Sequence, residues 1–453
     1  MHKYLLLLFS TALVHGLLYA VIIPPWQGPD EIAHFEYSRL LAEVRRPLTY
    51  ADASPELERE ILSSLFQYRA WTFIHRESPD PIPARLAEAP FFGGSRTFSR
   101  FSLAYVPYAI AVWPVLDQDV ITQLYIMRFL SAVLGALVVL LAYRTARLVA
   151  PQFPALAAGT ALFILFLPQH AFITAIVSDG NLAELLASTA LYLLVKMLRT
   201  GLTAPHAALC LACTLAAVLT KATAYFLIPL MLVAGPMTVL RPFSSDRLIL
   251  DWRKGLAVLL SALLLGAILG AGLAAAPPLE DILSLLAQNL SSAGEIGEYA
   301  ADLSAEGRFS NALGGTFKSF WVTFGWMSLP LPSLWYNLLA ILSVLSLAGL
   351  ALRLRSLLRW KADIPLYLLI GLAALLPVAI LIVWFVAYPS GLYFYQGRYL
   401  FGGIVPMAIL LAGGWLLLAP DRHAGLALKI LLAGMVLLDA VALLNLTIPF
   451  YYS

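Results

Sequence analysis

YLLLLFSTALVHGLLYAVII (residues 4–23), running into PPWQGPDEIAHFE (24–36), is the stretch that decides the fold. About 20 consecutive apolar residues make a helix that crosses the hydrocarbon core, where every backbone polar group must be satisfied internally. Lys3 and the small residues near Ala20 resemble a secretory signal. The length of the run and its direct passage into Pro24-Pro25-Trp26 favour a retained helix. Straight after it stands an acidic pair, Asp30-Glu31.

Further runs repeat the pattern. Hydrophobic residues make up 61% of the 453-residue chain and charged ones only 12%, which excludes a water-soluble fold of this length. With 29 Lys plus Arg against 26 Asp plus Glu, the net charge of +3 is too scattered for a nucleic-acid footprint, so no nucleic-acid partner is expected. About eleven spans are predicted. They cover residues 4–23, 124–143, 154–172, 182–198, 205–219, 222–240, 255–275, 334–352, 364–386, 400–418 and 424–446. The expectation is an all-α polytopic membrane protein with one transmembrane domain, 1–453. The two cysteines, Cys210 and Cys213, lie within an apolar run and read as buried small residues.

Loop charges set the orientation. If the chain starts in the cytoplasm, Lys and Arg cluster on that side at 144–147, 196–199, 241–254, 353–361 and 422–429, whereas the opposite short loops carry Lys221, Arg308, Lys318 and Arg398. This bias predicts an integral protein of a bacterial or archaeal cytoplasmic membrane. The segment 24–123 becomes a long first outer loop, with a short helix from Pro55 capped by Ser54 and an interfacial helix within 101–116. A second outer loop spans 277–332.

The unusual polar residues gather on the outer side. Asp30, Glu31 and His34 follow the first span; Asp179 and Asn181 follow the third; Lys221 lies between the fifth and sixth; Gln396-Gly397-Arg398-Tyr399 precedes the tenth. Asp30 as a helix cap and Asp179-Gly180 as a turn are ordinary structural alternatives. As a set they are harder to dismiss, because ionisable groups near membrane depth are costly and usually face a cavity or one another. A carboxylate beside a hydroxyl accepts its proton as a C–O bond forms, which suits Asp30. A guanidinium or ammonium stabilises a departing phosphate, which suits Arg398 and Lys221. Asp30, Glu31 and Asp179 also suit a divalent cation such as Mg or Mn. His34 shares their helical face as an accessory candidate.

At these residues the sequence resembles the GT-C superfamily of membrane glycosyltransferases that use polyprenyl-phosphate-linked sugars. Pro-Asp-Glu-x-x-His at 29–34, Ser-Asp-Gly at 178–180, Lys221 and Gln-Gly-Arg-Tyr at 396–399 look like a largely uncharacterised bacterial membrane family placed in that superfamily. The resemblance implies a GT-C-like bundle, Asp30 as base, Asp179 as second acidic residue and Arg398 as lipid-phosphate ligand. Gln396 and Tyr399 come with the same motif. It implies a polyprenyl-phosphate sugar donor in the bilayer and transfer on the outer face. The chain shows no soluble domain after the last span of the kind that binds peptide acceptors in larger members. A glycan or lipid acceptor is therefore expected.

Trp26, Phe35, Trp71, Phe91 and Phe92 are candidates for a sugar platform. A transporter or flippase for a lipid-linked sugar would use the same charges without chemistry, and a subunit of a polysaccharide assembly complex would not depend on Asp30.

Overall fold

The long helices coincide with apolar runs, and some of them stop beside a proline or a glycine, as at Pro24 and Gly201. The structure is a computed structural model that describes residues 2–74, 76–89, 102–240, 308–358, 363–387 and 396–453. Helix α1 (His2–Ile22) stops before Pro24-Pro25. The longer helices of the described part of the first loop are α2 (Glu31–Val44), α3 (Pro55–Gln67) and α4 (Tyr105–Val112), with a single helical turn over Ala70–Phe73 between the last two. Helix α5 (Val120–Val149) is capped by Asp119, whose carboxylate accepts from the Ile121 and Thr122 amides at 2.9 and 3.0 Å. It outruns the expected span at both ends.

Among the described residues, seven helices are long and apolar enough to cross a membrane. The expected third span is instead a bent pair, α6 (Pro154–Leu165) and α7 (Pro168–Thr174), at 62°. Pro168 causes the break: the residue before a proline is pushed out of the helical region, and Leu167 has φ −80°, ψ 107°. Helix α8 (Asp179–Thr200) follows, with Ser178 as its N-cap. The fifth and sixth expected spans are shorter apolar helices. They are α9 (Ala204–Thr220) and, after a 3-10 turn over Ala222–Phe226, α10 (Leu227–Leu240). The expected seventh span, 255–275, lies outside the described residues.

The described end of the second outer loop carries an amphipathic helix, α11 (Arg308–Trp321), and a two-residue antiparallel pair, Thr323–Phe324 with Leu329–Pro330. Then come α12 (Ser333–Leu358), α13 (Ile364–Ala387), a 3-10 turn over Gly397–Gly403, α14 (Ile404–Leu418) and α15 (Ala424–Ala440). Helices α12 and α14 cross closely, because a Cβ on Gly349 would overlap the Gly414 carbonyl and one on Gly414 would overlap that of Ser346. Lipid offers no hydrophobic drive to pair helices, so small residues at such crossings let dispersion contacts hold them together.

The first loop has a core of its own. Trp26, Phe35, Tyr37, Ile61, Leu65, Trp71, Tyr105 and Tyr108 pack there against Leu124 and Met127 of α5. The capping read from sequence holds: Ser54 Oγ accepts from the Leu57 amide at 3.2 Å. Of the five aromatic residues considered for a sugar platform, the three that are described belong to this core instead. Trp26 is fully buried with its indole N–H donating to Ser64 Oγ at 2.9 Å, Phe35 stacks edge-on against it, and Trp71 is buried as well. Phe91 and Phe92 lie outside the described residues. Cys210 and Cys213 are buried free thiols.

Candidate active site

Three helix starts and one helix end converge at the end of the bundle covered by the first loop. Asp30 occupies the N-cap position of α2 but does not cap it. Its backbone is left-handed (φ 62°, ψ 8°) and its side chain makes no cap bond. Instead Oδ2 accepts from Arg398 Nη2 at 2.7 Å, while Nη1 of the same arginine donates to the Pro29 carbonyl at 3.3 Å. Asp30 is 53% exposed and Arg398 only 7%. Arg398 Nε is buried with no partner among the described residues, so the guanidinium keeps a spare donor.

Asp179 opens α8, where the helix dipole favours a negative charge. Lys221 caps the C-terminus of α9 in an extended conformation and pairs with Asp179. His34 joins the two ion pairs. Its Nε2 lies 3.7 Å from Asp179 Oδ1, and its Nδ1 meets the Tyr105 hydroxyl at 3.1 Å. The Tyr399 ring faces both cations, 5.8 Å from Lys221 Nζ and 5.3 Å from Arg398 Cζ.

Partial desolvation by the surrounding protein would raise the Asp30 carboxyl, but the Arg398 charge outweighs it and holds it below the usual range. Burial lowers His34, and Lys221 and Arg398 lower it further against the pull of Asp179 and Asp30. His34 is therefore neutral at pH 7. Burial first, then Asp179, push the Tyr105 phenol well up, so it stays protonated and can donate to Nδ1.

Glu31 turns the other way. Its carboxylate, fully buried, takes both Arg128 Nε and Nη2 at 2.8 and 2.6 Å and the Val177 amide at 3.1 Å. Arg128 also donates to the carbonyls of Ala20, Ile23 and Pro24. This clamp ties the end of α1, the start of α2, α5 and the turn before α8. It fixes the turn on which Asp30 stands. Asn181 is likewise a tie: its amide N donates to the Ile176 carbonyl at 2.9 Å and the Tyr108 hydroxyl at 3.3 Å. Gln396 caps the 3-10 turn that carries Arg398 and Tyr399, and the Tyr399 amide donates to its carbonyl at 3.2 Å. The next residue, Gly397, is required there because a Cβ would strike the Phe320 backbone of α11.

The three carboxylates proposed for a divalent cation do not share a centre. Asp30 faces Arg398, Asp179 faces Lys221 and Glu31 faces Arg128. Among the described residues, no group of three or more His, Cys, Asp or Glu side chains is arranged to hold a metal ion.

Beside the ion pairs lies a small pocket of about 20 Å³, room for about one water molecule. Lys221, Arg398, Glu184, Phe401, Gly180 and Gly402 are among its walls. Arg128, Tyr105, Glu184 and His170 are the residues that sequence reasoning missed. The signal was present for Arg128, Glu184 and His170, which are ionisable groups inside predicted spans. Tyr105 carried no comparable mark.

Residues 70–411 match the family described as "Predicted membrane protein (DUF2142)". The chain belongs to this family. The match takes in Asp179, Lys221 and Arg398 and begins after Asp30. Two crystal structures of ArnT from Cupriavidus metallidurans, one bound to undecaprenyl phosphate and one in the apo state, align with 99% of this DUF2142 member and 76% of their own chain. Identity is 15% in both cases, and the TM-scores are 0.47 and 0.48. No curated protein matches the sequence.

Proposed function

We propose that this membrane protein is a GT-C-like glycosyltransferase that moves a sugar from a polyprenyl-phosphate donor to a glycan or lipid hydroxyl at the outer face of the membrane. The observation that carries the reading is the buried, under-used guanidinium of Arg398 beside an exposed Asp30, with Lys221 on the adjoining wall. A lipid phosphate supplies anionic oxygens for both cations. The acceptor oxygen attacks the anomeric carbon as the C–O bond to phosphate breaks. The electron pair leaves with polyprenyl phosphate, the acceptor proton passes to Asp30, and the anomeric configuration inverts.

One feature of the ion pairs bears on this chemistry. A carboxylate held by Arg398 is a weak base, because the same charge that keeps it ionised lowers its affinity for a proton. Donor phosphate competes for Arg398 and so returns basicity to Asp30 when substrate is bound. Asp179 and His34 keep Lys221 in place, and the Glu31–Arg128 clamp positions Asp30.

The test is a transfer assay in nanodiscs with labelled polyprenyl-phosphate sugars and a panel of glycan and lipid acceptors. Product from the wild type that falls at least 100-fold in Asp30→Asn, on the order of a lost general base, supports the reading. Undiminished turnover in Asp30→Asn removes Asp30 from the mechanism. Uptake of the sugar lipid across the bilayer without product selects the flippase instead.

A further inference from the structure

The turn that carries Arg398 and Tyr399 has no side-chain cap of its own. The first amides of a helical turn find no partner within it and need an acceptor from elsewhere. Gln396 stands at the N-cap position of the turn over Gly397–Gly403, but its side chain makes no cap bond. The acceptor comes from a distant part of the chain: the buried Gly397 amide donates to Ser319 Oγ of α11 at 2.7 Å. That hydroxyl donates onward to the Gly315 carbonyl, one turn back in α11, also at 2.7 Å. Ser319 is 1% exposed, so water is poorly placed to substitute for it. Phe320, the next residue, stands edge-on to Phe401 of the same turn at 5.9 Å. Just beyond the end of α11, the Thr323 amide is held by Gln169 of α7, which fastens the helix to the bent pair.

We infer that Ser319 is a positioning residue of the phosphate site: it caps the Arg398 turn from a different loop and so fixes where the guanidinium points. The inference rests on the proposed function and extends its phosphate site to α11. Arg398 follows the bonded amide directly, and its side chain reaches Asp30 and the Pro29 carbonyl. A guanidinium recognises phosphate through donors set in a planar fork, so its direction matters as much as its charge. A group held in place beforehand need not be ordered when the ligand arrives, whereas one on a loose turn must be. Without the Ser319 hydroxyl, the Gly397 amide is left buried without its acceptor and the turn shifts to find another. Ser319 acts through Arg398 and not by touching the lipid.

The experiment is a binding cycle with undecaprenyl phosphate on the reconstituted full chain, each variant read below its unfolding midpoint. Ser319→Ala should weaken binding about tenfold, the size of one lost hydrogen bond. Ser310→Ala, at an exposed position of the same helix, should leave it unchanged. A residue that acts only through Arg398 loses its effect once Arg398 is gone. In the Arg398→Ala background, where Lys221 retains part of the affinity, Ser319→Ala should change binding less than about twofold; in the Lys221→Met background it should keep its full effect. Wild-type affinity in Ser319→Ala overturns the inference. So does an equal loss in the wild-type and Arg398→Ala backgrounds, which would mean general damage to the bundle. Either result leaves the proposed function standing, whereas a wild type that binds no undecaprenyl phosphate removes that reading together with this one.

Discussion

Two adjacent carboxylates, Asp30 and Glu31, take opposite roles because the backbone between them turns. The left-handed conformation at Asp30 sends its side chain toward Arg398 at the rim, while Glu31, as the first residue of α2, is drawn inward to Arg128. Removing one partner of a fully buried pair strands the other charge, at a cost of about 3–5 kcal/mol. Arg128→Met should therefore lower thermal stability markedly, and Glu31→Gln combined with Arg128→Met should recover much of the loss; a double variant as unstable as the single would refute the clamp. Glu36 offers a pH test. Burial, with Glu58 adding, raises its carboxyl from 4.5 to about 7. The folded state thus holds this proton more tightly than the unfolded chain, and stability is lost as pH rises between those two values. Glu36→Gln should gain on the order of 1–3 kcal/mol relative to wild type at pH 8 and almost nothing at pH 4, read from unfolding midpoints. The candidate positions Asp30, Asp179, Lys221 and Arg398 were legible in the sequence because all four fall in turns on one side of the predicted spans. The inward turn of Glu31 was not, since nothing in Pro-Asp-Glu marks a left-handed residue.

Helix breaks, more than helices, build the site. Pro168 bends the α6–α7 pair and brings Gln169 to the Thr323 amide at 2.6 Å and His170 to Glu184. The short α9 ends in time to present Lys221, and the 3-10 turn at Gly397 presents Arg398. Hydropathy reads 154–172 as one span and 222–240 as another, because an average over about 20 residues registers neither a single proline nor a change of helix type. It located the elements and missed the bends that aim their ends. The α12–α14 crossing supplies a packing test away from the site. Gly414→Leu should force these helices apart and lower thermal stability by about 1–3 kcal/mol or more, the cost of overpacking, whereas Gly425→Ala at an open position should change little. Equal effects of the two would show that the crossing does not depend on small residues.

At the scale of the whole molecule, the first loop packs as a cap with its own aromatic core over the end of the bundle that carries the ion pairs, and Arg144, Arg147, Arg199 and Arg422 of the short loops lie at the other ends of the helices that lead from it. The cap end should face outward. In intact cells a membrane-impermeant maleimide should label Glu88→Cys in the cap and spare Arg422→Cys at the other end, with little background from the buried Cys210 and Cys213; the reverse pattern would place the site in the cytoplasm. In the proposed reaction Arg398 and Lys221 hold a lipid phosphate. The most direct test is thermal stabilisation of the reconstituted chain by undecaprenyl phosphate. The wild type should gain about 3 kcal/mol at a hundredfold excess over the dissociation constant, and the Lys221→Met/Arg398→Ala variant should gain almost nothing at the same lipid concentration. Equal stabilisation of both proteins would contradict the claim.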